Sequence, residues 1–207
     1  MRKLLMCLAL LAGKAAVAQA QSPQLIDVHV HCYDDNRFAY PAPTLQGCSP
    51  AKNASAHFQE TYAALRKAGA RHVVISGSPS AVESWMRKDS AHLFIPAIAI
   101  DKPDEYGMDT VRLKQLILDK KIAVFGEVGA YYAGSTLADR IWQPYLRICE
   151  RYDVPVAVHI GGGPPETPYH GSPNARLSLG DPFLLEDVLI KYPKLRLYMM
   201  HSGEVWL

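Results

Sequence analysis

The sequence predicts an α/β fold with a parallel sheet, on three observations. Short apolar, β-rich runs alternate with longer amphipathic stretches along almost the whole chain. Strict βα alternation implies parallel strands joined by helical crossovers. Of the 207 residues, 49% are hydrophobic and 20% are charged, the composition of a globular domain with a sizeable core.

The runs, in order, are "QLIDVHVH", "RHVVISG", "LFIPAIAID", "IAVFGEVG", "VPVAVHIG" and "LRLYMMHSG". Between them, residues 55–68 place Phe58, Tyr62, Leu65 and Ala68 near one face, and Gly69 supplies a helix stop. Ser80 with Glu83 reads as a capping box. After Pro144, the spacing of Tyr145, Ile148, Cys149 and Tyr152 makes a helical stripe. Asp181-Pro182 reads as an N-cap followed by a first-turn proline, ahead of Leu184, Leu185, Val188 and Leu189.

Barrel or open sheet is the next question. No GxGxxG turn follows the first strand, so a dinucleotide-binding open sheet has no support. A closed (β/α)8 TIM barrel typically takes about 250 residues. The expectation is therefore a C-terminally incomplete barrel domain over residues 21–207, with about six βα units. An exposed sheet edge favours self-association, which makes a homo-oligomer an expectation too.

The first twenty residues carry a basic start (Arg2, Lys3), an apolar run from Leu4 to Ala12 and the small-residue pattern Ala18-Gln19-Ala20. They read as a secretory signal peptide cut after Ala20. The apolar run is too short to cross a bilayer of about 30 Å as a helix. A periplasmic or secreted protein with no membrane contact after cleavage is expected. Removing Arg2, Lys3 and Lys14 takes the formal charge from +2 to about −1. No basic patch remains to suggest nucleic acid. Export to an oxidising compartment makes Cys32 and Cys48 candidates for a disulfide, whereas Cys149 lies among apolar helix positions.

The polar residues without a packing reason stand near the ends of the runs: His29, His31, Glu127, His159 and His201. In a parallel barrel those ends converge on one mouth, where active sites form. Imidazoles and a carboxylate together suit zinc, with manganese or iron as alternatives, as one or two ions. Strand periodicity puts Asp27 on the same face as His29 and His31, where it serves as an acceptor rather than a ligand. By the same parity, Val154, Val156, Val158 and Ile160 meet the helices while Ala157 and His159 face inward. Glu127 is expected to share its face with Ala123 and Phe125.

His57, His72 and His92 are read as surface or capping residues. Tyr169 and His170 lie in a loop that either shapes a pocket or faces solvent, and Gly161–Gly163 permit close backbone approach. The long loop after the first strand offers Asp34, Asp35 and Arg37 as further pocket candidates.

"DVHVH", "GEVG", "VAVHIGGGPP" and "MMHSG", in this order, resemble the amidohydrolase superfamily of metal-dependent barrels. The nearest group is the amidohydrolase-related and aminocarboxymuconate-semialdehyde-decarboxylase-like enzymes. The resemblance implies that His29, His31 and His159 bind metal. It implies that Glu127 bridges two metals or shapes the pocket, and that His201 is a second-metal ligand or a catalytic activator of water or substrate. It further implies a hydrolase using a metal-activated water on an amide, lactone or ester bond of a small molecule. The alternative is a lyase decarboxylating an unsaturated or aromatic acid. The superfamily's strand-eight aspartate has no counterpart in this sequence, and a third reading is an inactive metal-binding fragment. The mature chain is expected to start at Gln21, which N-terminal sequencing after expression in an exporting host checks.

Overall fold

A computed structural model describes residues 24–39, 50–164 and 166–201. The expected signal peptide and Cys48 lie outside the described residues. Among the described residues, Cys32 and Cys149 are buried free thiols. Six strands form one sheet in chain order: β1 (Leu25–His31), β2 (Ala70–Gly77), β3 (Phe94–Ile100), β4 (Val124–Val128), β5 (Val156–His159) and β6 (Leu197–Met200). Every neighbouring pair is parallel. The crossovers carry α1 (Ala54–Lys67), α2 (Pro79–Lys88), α3 (Thr110–Leu118), α4 (Gln143–Arg151) and α5 (Glu186–Lys191).

The sheet is strongly curled. Five strand spacings would hold β1 and β6 about 24 Å apart in a flat sheet. Instead the rings of His29 and His201 approach to 4.5 Å between centroids. The Tyr198 hydroxyl on β6 lies 3.4 Å from the Val28 carbonyl of β1, which accepts its hydrogen bond. No helix among the described residues is long and apolar enough to cross a membrane.

Two apolar layers follow from the alternation. On the convex side, Val73, Ile75, Ile98, Phe125, Val156 and Val158 pack against helix residues such as Leu65, Trp85, Leu113 and Leu146. On the concave side lies a row of strand residues alone: Val74, Ala97, Val124, Ala157 and Met200. The β5 parity read from sequence is borne out, with its β-branched residues on the helix side.

On β4 the expected parity fails. Ala123 is exposed and precedes the strand, and Phe125 turns outward to stack on Tyr145 at 5.7 Å. Val124 takes the inward position instead. The cause is a register shift between Phe125 and Val128 against β5, with a matching one against β3. An added residue in the ladder reverses the alternation, so Glu127 still faces inward. Gly126 makes this shift feasible. Its φ is 142°, and a Cβ there would lie 2.3 Å from the Ala157 carbonyl oxygen.

The helix ends follow local chemistry. Asn53 caps α1 by accepting from the Ala56 N–H at 2.8 Å, close to the expected start, and Gly69 lies just past its end with φ 76°. For α2, the cap is Ser78 rather than Ser80. Ser78 Oγ accepts from Ala81 N–H, and Pro79 occupies the first turn, where a missing N–H costs nothing. Glu83 is left to pair with Arg87 at 2.7 Å, one turn on. Asp181 caps as expected, accepting from Phe183 N–H at 2.9 Å, but a 3-10 segment (Pro182–Leu185) precedes α5.

Trp85 of α2 is 1% exposed and contacts the rings of His57, Phe58 and Phe94. Trp85→Ala is expected to cost about 3–5 kcal/mol of stability, read as a lowered urea midpoint.

Candidate metal centre

Five strand-end residues meet at the concave mouth. His29 and His31 leave β1, Glu127 leaves β4, His159 ends β5, and His201 follows β6 in a left-handed conformation with φ 65°. The structure brings together all five residues singled out from the sequence. Glu127 is the hub. Its Oε1 accepts from His159 Nδ1 at 2.8 Å and stands 3.2 Å from His201 Nε2. Its Oε2 lies 3.4 Å from His31 Nε2 and 3.8 Å from His29 Nε2.

A buried carboxylate needs compensation, and here the imidazoles supply it. Burial alone would raise the Glu127 pKa, but hydrogen bonds from His159, His201 and His29 outweigh it and hold the carboxyl well below its usual range. His31 moves the other way from an isolated ion-pair partner. Desolvation dominates the attraction of Glu127 and pulls its pKa down to about 4, so the ring is neutral at pH 7. Neutral imidazole is the form that ligates metal.

The donor set fits a divalent ion. With His159 Nδ1 paired to Glu127, its Nε2 is buried and has no hydrogen-bond partner. A buried polar atom without a partner calls for an ion or a water, and among these histidines it marks a candidate ligand position. Two groups have ligand atoms all within 4.8 Å of one another: His29, His31 and Glu127, and Glu127, His159 and His201. Glu127 belongs to both.

Neighbouring residues orient this centre. Asp27 accepts from the His29 backbone N–H at 3.0 Å, where the β1 register shifts, and thus shapes the strand. Tyr33 stacks on His31 at 5.6 Å with rings 12° apart, and on its other side meets His57 at 5.4 Å. His57 is therefore part of an aromatic stack with Tyr33, Phe38 and Trp85, not the surface residue expected. His72 and His92 are exposed, as expected. Tyr169 and His170 face solvent.

Above the centre opens a cavity of about 1010 Å³. Tyr33, Asp34 and Arg37 from the loop after β1 line it, but Asp35 caps outward, accepting from Ala54 N–H. Sequence reasoning missed Asp101, Tyr106 and Tyr132, which also line it. A strand-end position was the available signal for Asp101, directly after β3. The Tyr132 ring packs 4.7 Å from His159, and burial, then the Glu127 charge, pushes its phenol pKa up. Tyr132 is thus a neutral hydroxyl donor.

A family model described as amidohydrolase matches residues 26–207. No curated protein matches. An uncharacterized TIM-barrel protein from Bordetella bronchiseptica is 19% identical with a TM-score of 0.64, over 89% of this chain and 69% of that one. The 5-carboxyvanillate decarboxylase of Sphingomonas paucimobilis is 12% identical with a TM-score of 0.56, over 89% and 69%. A dihydroxybenzoic acid decarboxylase from a Polaromonas species, holding manganese and an inhibitor, is 13% identical with a TM-score of 0.57, over 88% and 67%. At these identities the likeness establishes the barrel fold.

Asp101 is exposed as a residue, but its carboxyl lies against Gly129, and desolvation there, then the charges of Glu105 and Glu127, pushes it from 3.8 up to about 7. A raised folded-state pKa means that the folded chain holds this proton more tightly than the unfolded chain. The associated stability is full below pH 3.8 and is lost as pH rises through about 7. Asp101→Asn should therefore flatten the decline in stability across that window. Urea midpoints measured along the pH series check this, and an unchanged slope would count against it.

Proposed function

This chain belongs to the amidohydrolase family, and from that premise we propose a metal-dependent hydrolase of a small molecule, using an activated water on an amide, lactone or ester bond. The gathering of His29, His31, His159 and His201 on one buried carboxylate carries the reading. A divalent ion bound there supplies a water whose pKa falls toward about 7 and polarises the bond under attack.

The chain's own residues do the rest. His29, His31 and His159 offer imidazole lone pairs, and Glu127 offers an ionised oxygen to either group. His201 lines the cavity and is the proton-handling group beside the substrate. Tyr132 lines the same space and carries a neutral hydroxyl, a donor suited to an oxygen that gains charge during attack. Zinc matches the donor set, and manganese or iron suits the same ligands.

The second reading, decarboxylation of an aromatic or unsaturated acid, has its own support. Arg37 sits on the cavity wall with Tyr33, Tyr106 and Tyr132, a guanidinium beside aromatic faces that suits a planar carboxylate. The Sphingomonas and Polaromonas decarboxylases share the barrel fold, and the manganese of the latter supports that metal for a decarboxylase.

The purified protein is expected to bind zinc or manganese stoichiometrically. His159→Ala should lower both metal affinity and turnover by at least about 10-fold. Elemental analysis and isothermal titration check the metal, and the absence of stoichiometric binding would sink both readings. Carbon dioxide release from a panel of aromatic acids, without hydrolysis of esters or lactones, would select the second.

A further inference from the structure

Ser76 has no role in the metal-binding reading, yet its position is unusual. It lies at the inward-facing end of β2, 0% exposed, with His31 as its neighbour in the β1 register and Ala97 as its neighbour on β3. Its side chain does not stop at the adjacent strand. It reaches past β3 to β4, where Ser76 Oγ donates to the Gly126 carbonyl at 3.0 Å and accepts from the Glu127 N–H at 2.7 Å. One hydroxyl thus satisfies both polar groups of the peptide that carries Glu127.

That peptide needs such a partner. The β4 register shifts between Phe125 and Val128, so the ladder to β5 skips Gly126 and Glu127. The ladder to β3 skips there too. A buried peptide that loses its strand partners costs free energy unless other groups replace them. The residue beside Ser76 on β3 is Ala97, small and fully buried in the concave layer. A serine supplies both a donor and an acceptor, which neither alanine nor valine offers.

We propose that Ser76 is a positioning residue that sets the Glu127 carboxylate at the hub of the four histidines by gripping the backbone on which it is carried. The inference rests on the metal-binding reading and adds to it the device that aims its central ligand. Ser76 contacts the Glu127 peptide and does not line the cavity. Its effect is transmitted wholly through the direction in which Glu127 leaves β4.

The experiment is a zinc-affinity cycle on the purified chain, by competition with a chromophoric chelator, for wild type, Ser76→Ala, Glu127→Ala and the double variant, with circular dichroism to check folding. Ser76→Ala is expected to weaken zinc binding by about 10- to 100-fold, the usual scale for a group that orients a ligand. In the Glu127→Ala background the same change should have almost no further effect, because the carboxylate that it aims is gone. A merely structural role would lower the unfolding midpoint and leave zinc affinity unchanged, or would weaken it equally in both backgrounds. Either result overturns the proposal. If Ser76→Ala does not fold, Ser76→Cys keeps the size with a weaker donor, and a loss of about 3- to 10-fold is expected; unchanged affinity in that folded variant also overturns it. Failure of the wild type to bind zinc is a separate outcome, which overturns the metal-binding reading itself.

Discussion

A single buried carboxylate governs the architecture of this chain. Glu127 is 6% exposed, and a carboxylate withdrawn from water to that degree costs several kcal/mol unless it is paired and hydrogen-bonded. Its partners come from β1, from the end of β5 and from the residue after β6. They can reach one point only if the sheet curls until its outer strands approach across the lumen. The curl, the inward parity of β5 and the left-handed turn at His201 all serve that convergence.

The two faces of the sheet divide the work. The convex face buries β-branched and aromatic side chains against the helices, and this layer contributes most of the apolar burial. The concave face carries Val74, Ala97, Val124, Ala157 and Met200, and it leaves the strand ends free for polar chemistry. The layers also communicate directly. The stack from His31 through Tyr33 and His57 to Trp85 ties a site imidazole to the packed face of α2. The polar centre is thus braced by the apolar core.

Much of this was legible in the residues. Alternation of short apolar runs with helical stripes identified the six strands, because period 2 and period 3.6 are local properties of the backbone. His29, His31, His159 and His201 stood out because nothing in strand packing explains an imidazole at those positions. Other features were not legible. The inward placement of Val124 in place of Phe125 depends on a register shift, which leaves no mark in the alternation of a five-residue strand. Ser78 displaced Ser80 as a cap because Pro79 set where the helix begins. His57 resembled a surface histidine until Tyr33 and Trp85 packed on both sides of it.

By itself, then, the sequence determined the parallel α/β class, the order of the strands and the side chains that would crowd one mouth. Each of these follows from short-range periodicity and from the chemistry of single residues. Only the tertiary structure decided that Glu127 is the point on which the histidines converge, and that Ser76 on β2 holds its peptide from two strands away. It also decided that Asp101 and Tyr132 join the cavity wall. These facts arise from contacts between residues far apart in the chain, which exist only once the sheet has curled and its registers are set.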